Sequence, residues 1–182
     1  SPDVVLDMGG IHLHVAEHPL EGLAMAEQLR PVFEKAPDTV LIGVFTGGVW
    51  IAERLSQLLP SHPPVGSVDI SFYRDDFSER GLRPNVQPTT VPVDIVGKPV
   101  ILVDDVLYTG RTTRAALNEL FDYGRPGSVQ LAVLADRGER QLPIAADFCV
   151  WPVSLPSDAS LVLVRTPVDD SEGKLTWSLD DA

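Results

Sequence analysis

The segment Val100–Thr113 constrains the fold of this chain more than any other part of its sequence. It reads Val-Ile-Leu-Val-Asp-Asp-Val-Leu-Tyr-Thr-Gly-Arg-Thr-Thr, so an apolar run is followed by two adjacent acids and then by a Thr/Gly turn. The run, with the residue before it, predicts a buried strand over Pro99–Val103, and the apolar spacing of Thr112–Phe121 predicts a helix. A buried strand that leads through a turn into a helix is typical of parallel α/β sheets.

The same alternation of strands and helices continues along the chain. Helices are predicted from Leu20 to Phe33, where Pro31 is expected to end or kink the helix, and from Val49 to Leu59. The predicted strands are Thr39–Phe45, Val65–Phe72, Val129–Leu134 and Phe148–Trp151, with Leu161–Arg165 and Leu175–Ser178 as two further candidates. We therefore expect an α/β fold with a mostly parallel central sheet flanked by helices. No repeat or linker divides the 182 residues, which indicates a single domain.

The charge of the chain limits its partners. There are 26 acidic and 14 basic residues, a formal net charge of −12. Nucleic-acid binders gain most of their affinity by neutralising phosphates, so this balance disfavours general nucleic-acid binding but not a small phosphate pocket. Seven arginines lie in or beside the segments discussed here, either as ordinary surface residues or as a local positive site for an anion. They are Arg74, Arg80, Arg83, Arg111, Arg114, Arg137 and Arg140.

Cysteine content and apolar runs bear on location. Cys149 is the only cysteine, so the sequence allows no internal disulfide, as expected in a reducing cytoplasm. The apolar runs are shorter than the roughly 18 residues that a membrane helix needs. The first basic residue is Arg30, so the basic start of a signal peptide is missing. We expect a cytoplasmic protein with no membrane contact.

The acid pair and the turn after it point to a sugar phosphate. In open α/β sheets, ligands bind beyond the carboxyl ends of the strands. A turn that opens a helix offers free backbone N–H groups to an anion, Gly110 permits close approach, and Thr109, Thr112 and Thr113 can add hydroxyl hydrogen bonds. Asp104 and Asp105 can accept hydrogen bonds from two sugar hydroxyls. The alternative is that these acids merely end a strand and that a threonine caps the helix.

At this segment the chain resembles the type I phosphoribosyltransferases, which carry an apolar strand, two acids and a T/S-G-x-T turn. The resemblance implies a fold with a mobile hood loop and the substrate phosphoribosyl pyrophosphate (PRPP), with Mg²⁺ bound mainly through PRPP. It implies that Asp104 and Asp105 bind the ribose 2- and 3-hydroxyls and are catalytic. The 5-phosphate would lie in the loop formed by Val106, Leu107, Tyr108, Thr109, Gly110, Arg111, Thr112 and Thr113.

Three other segments resemble further parts of the same site. Thr46, Gly47 and Gly48 resemble the pyrophosphate-binding loop, although a plain strand–turn–helix joint would look the same. Tyr73–Thr90 is polar and aperiodic and resembles the hood, with Arg74 meeting the diphosphate as a catalytic residue. Asp136–Ile144 resembles the base-side loop. There Asp136 and Arg137 would face the base, and Asp136 is also a candidate ligand of a second Mg²⁺.

The sequences of these segments are similar to those of one subgroup, the pyrimidine operon regulatory proteins, which are bifunctional with uracil phosphoribosyltransferase activity. The resemblance covers about 23–153 and leaves 1–19 and 154–182 unassigned. It implies the reaction of uracil and PRPP to UMP and pyrophosphate, in a homodimer or a larger homo-oligomer. Three alternatives stay open: a UMP-sensing RNA-binding attenuator with weak catalysis, a purine phosphoribosyltransferase, and a non-catalytic scaffold.

The chain departs from the subgroup at two places. Many members carry an arginine where this chain has Gly47, so one cation is missing from the pyrophosphate loop. The first helix is nearly without cations, and Glu139 stands where a basic residue or a histidine is common, which disfavours RNA binding. His12, His14 and His18 have spacings that could hold a metal, but no cysteine lies near them and we expect no metal there.

Overall fold

Five parallel strands form the centre of the protein. They are β1 (Val40–Val44), β2 (Val65–Val68), β3 (Pro99–Leu107), β4 (Ser128–Asp136) and β5 (Phe148–Pro152). Their order is β2-β1-β3-β4-β5, and every neighbouring pair is parallel. The computed structural model describes residues 19–71, 89–157, 159–168 and 171–181. Within those ranges the predicted parallel sheet is confirmed, and no helix is long and apolar enough to cross a membrane.

Helices cover both faces of the sheet. One face packs against α1 (Pro19–Lys35) and α2 (Gly47–Leu58), and the other packs against α3 (Arg111–Phe121). Successive residues of β3 alternate between the two cores: Ile101 lies in the first, and Val100 and Leu102 lie in the second. Because both faces are buried, the central parts of β1, β3 and β4 are apolar, which is why the sequence shows short continuous apolar runs rather than alternation.

Pro31 does not end α1. The helix continues to Lys35, with Pro31 in its interior. Two residues further on, Phe33 is only 5% exposed and packs in the same core as Leu29. The burial of a phenyl ring offsets the hydrogen bond that the proline nitrogen cannot make.

Strand β3 is longer than predicted. It continues past Val103, through Asp104 and Asp105, to Leu107. The pairing partner explains this, because β4 extends to Asp136 and pairs with β3 up to the last residue of each strand. Hydrogen bonding across the sheet holds two acidic residues in strand geometry where composition favours a turn.

A hairpin follows the sheet. Strands β6 (Ala159–Val168) and β7 (Ser171–Asp181) pair antiparallel, which confirms both candidate strands predicted near the end of the chain. The start of β6 joins the core beneath α1, where Leu161 and Leu163 are buried. The predicted loop Tyr73–Thr90 lies outside the described residues except for Thr89 and Thr90.

Candidate active site

Three loops leave the sheet at one edge. They follow β1, β3 and β4, which are consecutive parallel neighbours, so their carboxyl ends lie side by side. Leu107, the last residue of β3, pairs with Asp136, the last residue of β4. The fold therefore brings together the segments that sequence analysis assigned to the pyrophosphate, the ribose 5-phosphate and the base. Open α/β sheets bind their ligands at this edge.

Asp104 and Asp105 lie inside the last part of β3. Asp104 is 6% exposed, whereas Asp105 is half-buried. The Oδ1 atom of Asp104 accepts a hydrogen bond from the Asp105 N–H at 2.8 Å, and Oδ1 of Asp105 accepts one from the Val106 N–H at 2.8 Å. The Oδ2 atom of Asp105 faces the start of α2, close to Gly47.

The turn between β3 and α3 has the features of an anion site. Gly110 has a φ of 93°, a left-handed conformation that costs other residues about 1–2 kcal/mol. The helix begins at the next residue, Arg111, whose N–H lies 3.3 Å from Oγ1 of Thr109. The first backbone N–H groups of a helix have no partner within the helix, and they attract negative charge.

The predicted 5-phosphate loop is shorter in the structure. Val106 and Leu107 are strand residues, and Leu107 is 2% exposed in the core beneath α3, so its side chain faces away from solvent. The sequence suggested a loop there because the two acids resemble a strand end. Only Tyr108, Thr109 and Gly110 form the turn, whereas Arg111, Thr112 and Thr113 form the first turn of α3. Of those three, Thr112 is exposed and Thr113 is 5% exposed.

A second segment braces this turn. The carbonyl oxygen of Thr109 accepts hydrogen bonds from the N–H groups of Gln141, at 2.8 Å, and Leu142, at 3.3 Å. The Gln141 side chain accepts a hydrogen bond from Nε of Arg111 at 3.1 Å. Ile144 packs beside Gly110. The sequence predicts Leu142 and Ile144 in a base-side loop and gives no signal for Gln141, since nothing in the chain order indicates contact with the phosphate turn.

The predicted pyrophosphate loop begins α2. Gly47 and Gly48 are its first two residues, Thr46 precedes them, and the Phe45–Thr46 peptide bond is cis. A Cβ atom on Gly48 would overlap the carbonyl oxygen of Val103, and a Cβ atom on Gly47 would lie 2.6 Å from Oδ2 of Asp105. The missing side chains therefore let the start of α2 sit directly against the acid-bearing part of β3.

Asp136 and Arg137 differ in orientation. The Oδ1 atom of Asp136 accepts a hydrogen bond from the Gly138 N–H at 2.9 Å, which closes a small turn at the end of β4, and Asp136 is half-buried. Arg137 is 7% exposed, and its guanidinium donates to the carbonyl oxygens of Ala159 and Pro156. The backbone N–H of Arg137 donates to the Leu107 carbonyl oxygen at 2.9 Å. Both residues lie at the site edge, but the Arg137 side chain points into the protein.

Cys149, on β5, lies near Asp136. Burial raises the pKa of the Cys149 thiol above its ordinary value, and the negative charge of Asp136 raises that pKa further. Backbone hydrogen bonds with Trp151 and Asp136 lower it in part. The neutral thiol therefore predominates at neutral pH, and a thiolate nucleophile is not part of this site.

The described residues contain no group of three or more His, Cys, Asp or Glu side chains that could hold a metal ion. Arg74 lies outside the described residues, as do His12, His14 and His18. Nδ1 of His62 lies 2.9 Å from the carbonyl oxygen of Ser56, which is a local structural contact.

Comparison with known proteins gives consistent results. The family model described as phosphoribosyl transferase domain matches residues 15–169. The bifunctional protein PyrR of Ralstonia nicotianae is 48% identical over 157 residues, covering 85% of this chain and 89% of the relative. That of Pseudomonas paraeruginosa is 52% identical over 123 residues, covering 68% and 72%. The crystal structure of purine phosphoribosyltransferase from Pyrococcus horikoshii is 32% identical, with a TM-score of 0.55, covering 73% of this chain and 80% of that one.

Proposed function

The chain belongs to the phosphoribosyl transferase domain family and, within it, to the family of the bifunctional PyrR proteins, and on this basis we propose that it makes UMP and pyrophosphate from uracil and PRPP. It has the type I phosphoribosyltransferase fold. The observation that carries the proposal is the meeting of three loops beside Asp104 and Asp105 at one sheet edge. The family match over 15–169 supports reading the chain as one phosphoribosyltransferase domain.

The reaction breaks the bond between the anomeric carbon and the diphosphate oxygen while a uracil nitrogen bonds to that carbon. Positive charge builds on the ribose and negative charge on the leaving diphosphate. The first N–H groups of α2, at Gly47 and Gly48, would donate to the leaving diphosphate, and fixed donors stabilise such charge without reorganising. We assign Arg74 the same role by family resemblance.

The ribose and its 5-phosphate would lie on the neighbouring loops. Asp104 and Asp105 would accept hydrogen bonds from the 2- and 3-hydroxyls and so fix the ring. The turn Tyr108–Gly110 and the first turn of α3 would bind the 5-phosphate through backbone N–H groups, aided by the side chains of Thr109 and Arg111. Holding both ends of the sugar aligns the anomeric carbon for attack. Asp136 would lie nearest to the base.

The donor set fits Mg²⁺ that arrives with PRPP. Mg²⁺ is commonly held by one or two carboxylates together with substrate phosphates and water. The ion would be bound mainly through PRPP, and we keep Asp136 as a candidate ligand for a second ion. When bound, Mg²⁺ offsets the negative charge of the leaving diphosphate.

A purine substrate is the main alternative, since the Pyrococcus horikoshii relative is named as a purine phosphoribosyltransferase. The curated relatives named PyrR are about half identical to this chain, whereas that protein is 32% identical. The sequence of Asp136–Ile144 also resembles that of the pyrimidine subgroup, and we therefore propose uracil rather than a purine as the substrate.

As partners we propose PRPP, uracil and a second copy of the chain. As location we propose the cytoplasm, which the single cysteine supports.

Pyrophosphate release tests the proposal. The protein is incubated with PRPP, Mg²⁺ and uracil, hypoxanthine, guanine or adenine in turn, and uracil should give the fastest release. Asp104→Asn combined with Asp105→Asn should lower kcat/KM for PRPP on the order of 10²–10³-fold, as expected when preorganised polar contacts are lost. Asp122→Asn, at an exposed acid after α3, is the matched control. Faster pyrophosphate release with a purine than with uracil would refute the base assignment. An unchanged kcat/KM for PRPP in the double variant would refute the site.

A further inference from the structure

Arg137 is a buried cation without a carboxylate partner among the described residues. Its side chain is 7% exposed. One terminal nitrogen donates to the Ala159 carbonyl oxygen at 2.9 Å, the other donates to the Pro156 carbonyl oxygen at 3.0 Å, and Nε has no acceptor in the described part of the chain. A buried charge is costly unless polar groups compensate it. Arginine is suited to this place because its planar fork meets two carbonyl groups at once.

The face of the same guanidinium covers an aromatic ring in the turn after β3. The central carbon of the Arg137 guanidinium lies 3.8 Å from the ring centroid of Tyr108, a cation–π contact. The backbone of Arg137 also donates to the Leu107 carbonyl oxygen, immediately before Tyr108. Tyr108 is therefore held by Arg137 through its ring and through the neighbouring backbone. The guanidinium is in turn held by the segment that leads into β6.

We propose that Arg137 is a positioning residue for the 5-phosphate turn and does not contact the base. It fixes Tyr108 and with it the backbone of Tyr108–Gly110, so that the N–H groups at the start of α3 are arranged for phosphate before substrate arrives. Such prearrangement lowers the ordering cost of binding. A base contact would require the guanidinium to leave two carbonyl groups and an aromatic face. This inference rests on the proposed function.

Separate KM values distinguish the two roles. Arg137→Gln should raise KM for PRPP on the order of tenfold, since it loses a cation–π contact and charged hydrogen bonds, and should leave KM for uracil unchanged. Tyr108→Leu should show the same pattern, and Tyr108→Phe, which keeps the ring face, should raise KM for PRPP less than Tyr108→Leu does. The double variant Tyr108→Leu with Arg137→Gln should lose no more than either single variant. Arg125→Gln, at an exposed arginine after α3, is the control.

Amide hydrogen exchange provides a readout that does not depend on catalysis. In the ligand-free protein, Arg137→Gln and Tyr108→Leu should speed exchange at Thr109–Arg111 and leave α1 and β1 protected. Faster exchange over the whole sheet would mean a merely structural role and would overturn the proposal. So would a raised KM for uracil with an unchanged KM for PRPP. If the unmodified protein releases no pyrophosphate with any base, the proposed function fails, and the exchange pattern still decides the role of Arg137.

Discussion

Gly47 and Asp105 illustrate how the absence of one side chain shapes the candidate site. A Cβ atom at Gly47 would lie 2.6 Å from Oδ2 of Asp105, whose other oxygen is engaged by the Val106 N–H. The carboxylate is thus confined between its own backbone and the start of α2. Any side chain at position 47 would require a different placement of Asp105. The absence of a side chain at Gly47 and the position of the Asp105 carboxylate are therefore linked.

Gly47→Ala tests this link. The added methyl should push the Asp105 carboxylate away and lower kcat/KM for PRPP by about 10- to 100-fold, the range that small misplacements near reacting groups produce. Steady-state kinetics with varied PRPP measures the effect. In an Asp105→Ala background the same substitution should cause little further loss, because the carboxylate that it displaces is gone. Additive losses would show that Gly47 acts independently of Asp105.

Cys149 gives a pH-dependent prediction. The pKa of its thiol is raised, mainly by burial. Alkylation by iodoacetamide, followed against pH, should therefore show a higher midpoint in the native protein than after denaturation, where it should be about 8.5. Because the folded pKa is the higher one, the thiol's contribution to stability is fully present below the unfolded pKa and is lost as pH rises through the folded pKa. A native midpoint at or below the denatured midpoint would contradict this prediction.

The residue types of the site could be predicted from sequence because they are contiguous. Asp104, Asp105 and Gly110 lie within one short segment whose order reflects a strand, an acid pair and a turn. The environment of Arg137 could not be predicted. Its hydrogen-bond acceptors are backbone carbonyls at Pro156 and Ala159, in a part of the chain that no motif covers. Backbone acceptors carry no residue signature, so a sequence pattern cannot reveal them.

Among the secondary-structure elements, α1 and β3 show where pattern and tertiary packing disagree. Apolar spacing identified α1 correctly, but the helix does not end at Pro31, because Phe33 is buried beyond it. The acid pair suggested that β3 ends at Val103, but pairing with β4 extends it to Leu107. In both elements the type was predictable from local periodicity. The residue at which each element ends depends on contacts with residues distant in sequence, and local sequence patterns do not include such contacts.

Pro31→Ala measures the cost of the proline in α1. Pro31 is exposed within the helix, so alanine restores a backbone N–H without disturbing the core. The free energy of unfolding should rise by about 1–3 kcal/mol: proline costs ~3 kcal/mol in a helix interior, and part of the gain is offset because proline also restricts the unfolded chain. Urea unfolding followed by circular dichroism gives the value. Glu34→Ala, at another exposed position of α1, should change it by less than about 0.5 kcal/mol.

The net charge of the whole molecule bears differently on phosphoribosyl transfer and on RNA binding, the two activities of the bifunctional family. A net charge of −12 is compatible with a small anion pocket, because helix N-termini and fixed backbone N–H groups attract phosphate locally. RNA binding is different, since it needs many cations spread over one surface. In α1, Arg30 is paired with Glu27 at 2.9 Å, and Lys35 is the only basic residue of the last turn. The exposed side of this helix therefore offers little to an RNA backbone.

We accordingly expect weak RNA binding without useful specificity at physiological salt. An interface with about 6–10 phosphate contacts, the number behind a steep salt dependence, needs as many converging Lys or Arg side chains. The chain has 14, several of them beside the proposed PRPP site, and the acidic surroundings repel RNA within about 8 Å at physiological salt. Fluorescence anisotropy with the transcript leader of its own pyrimidine genes, with and without UMP, measures the affinity. A sub-micromolar, UMP-dependent dissociation constant at about 0.15 M salt would contradict the prediction and would mean that a dimer pools arginines from two copies on one face.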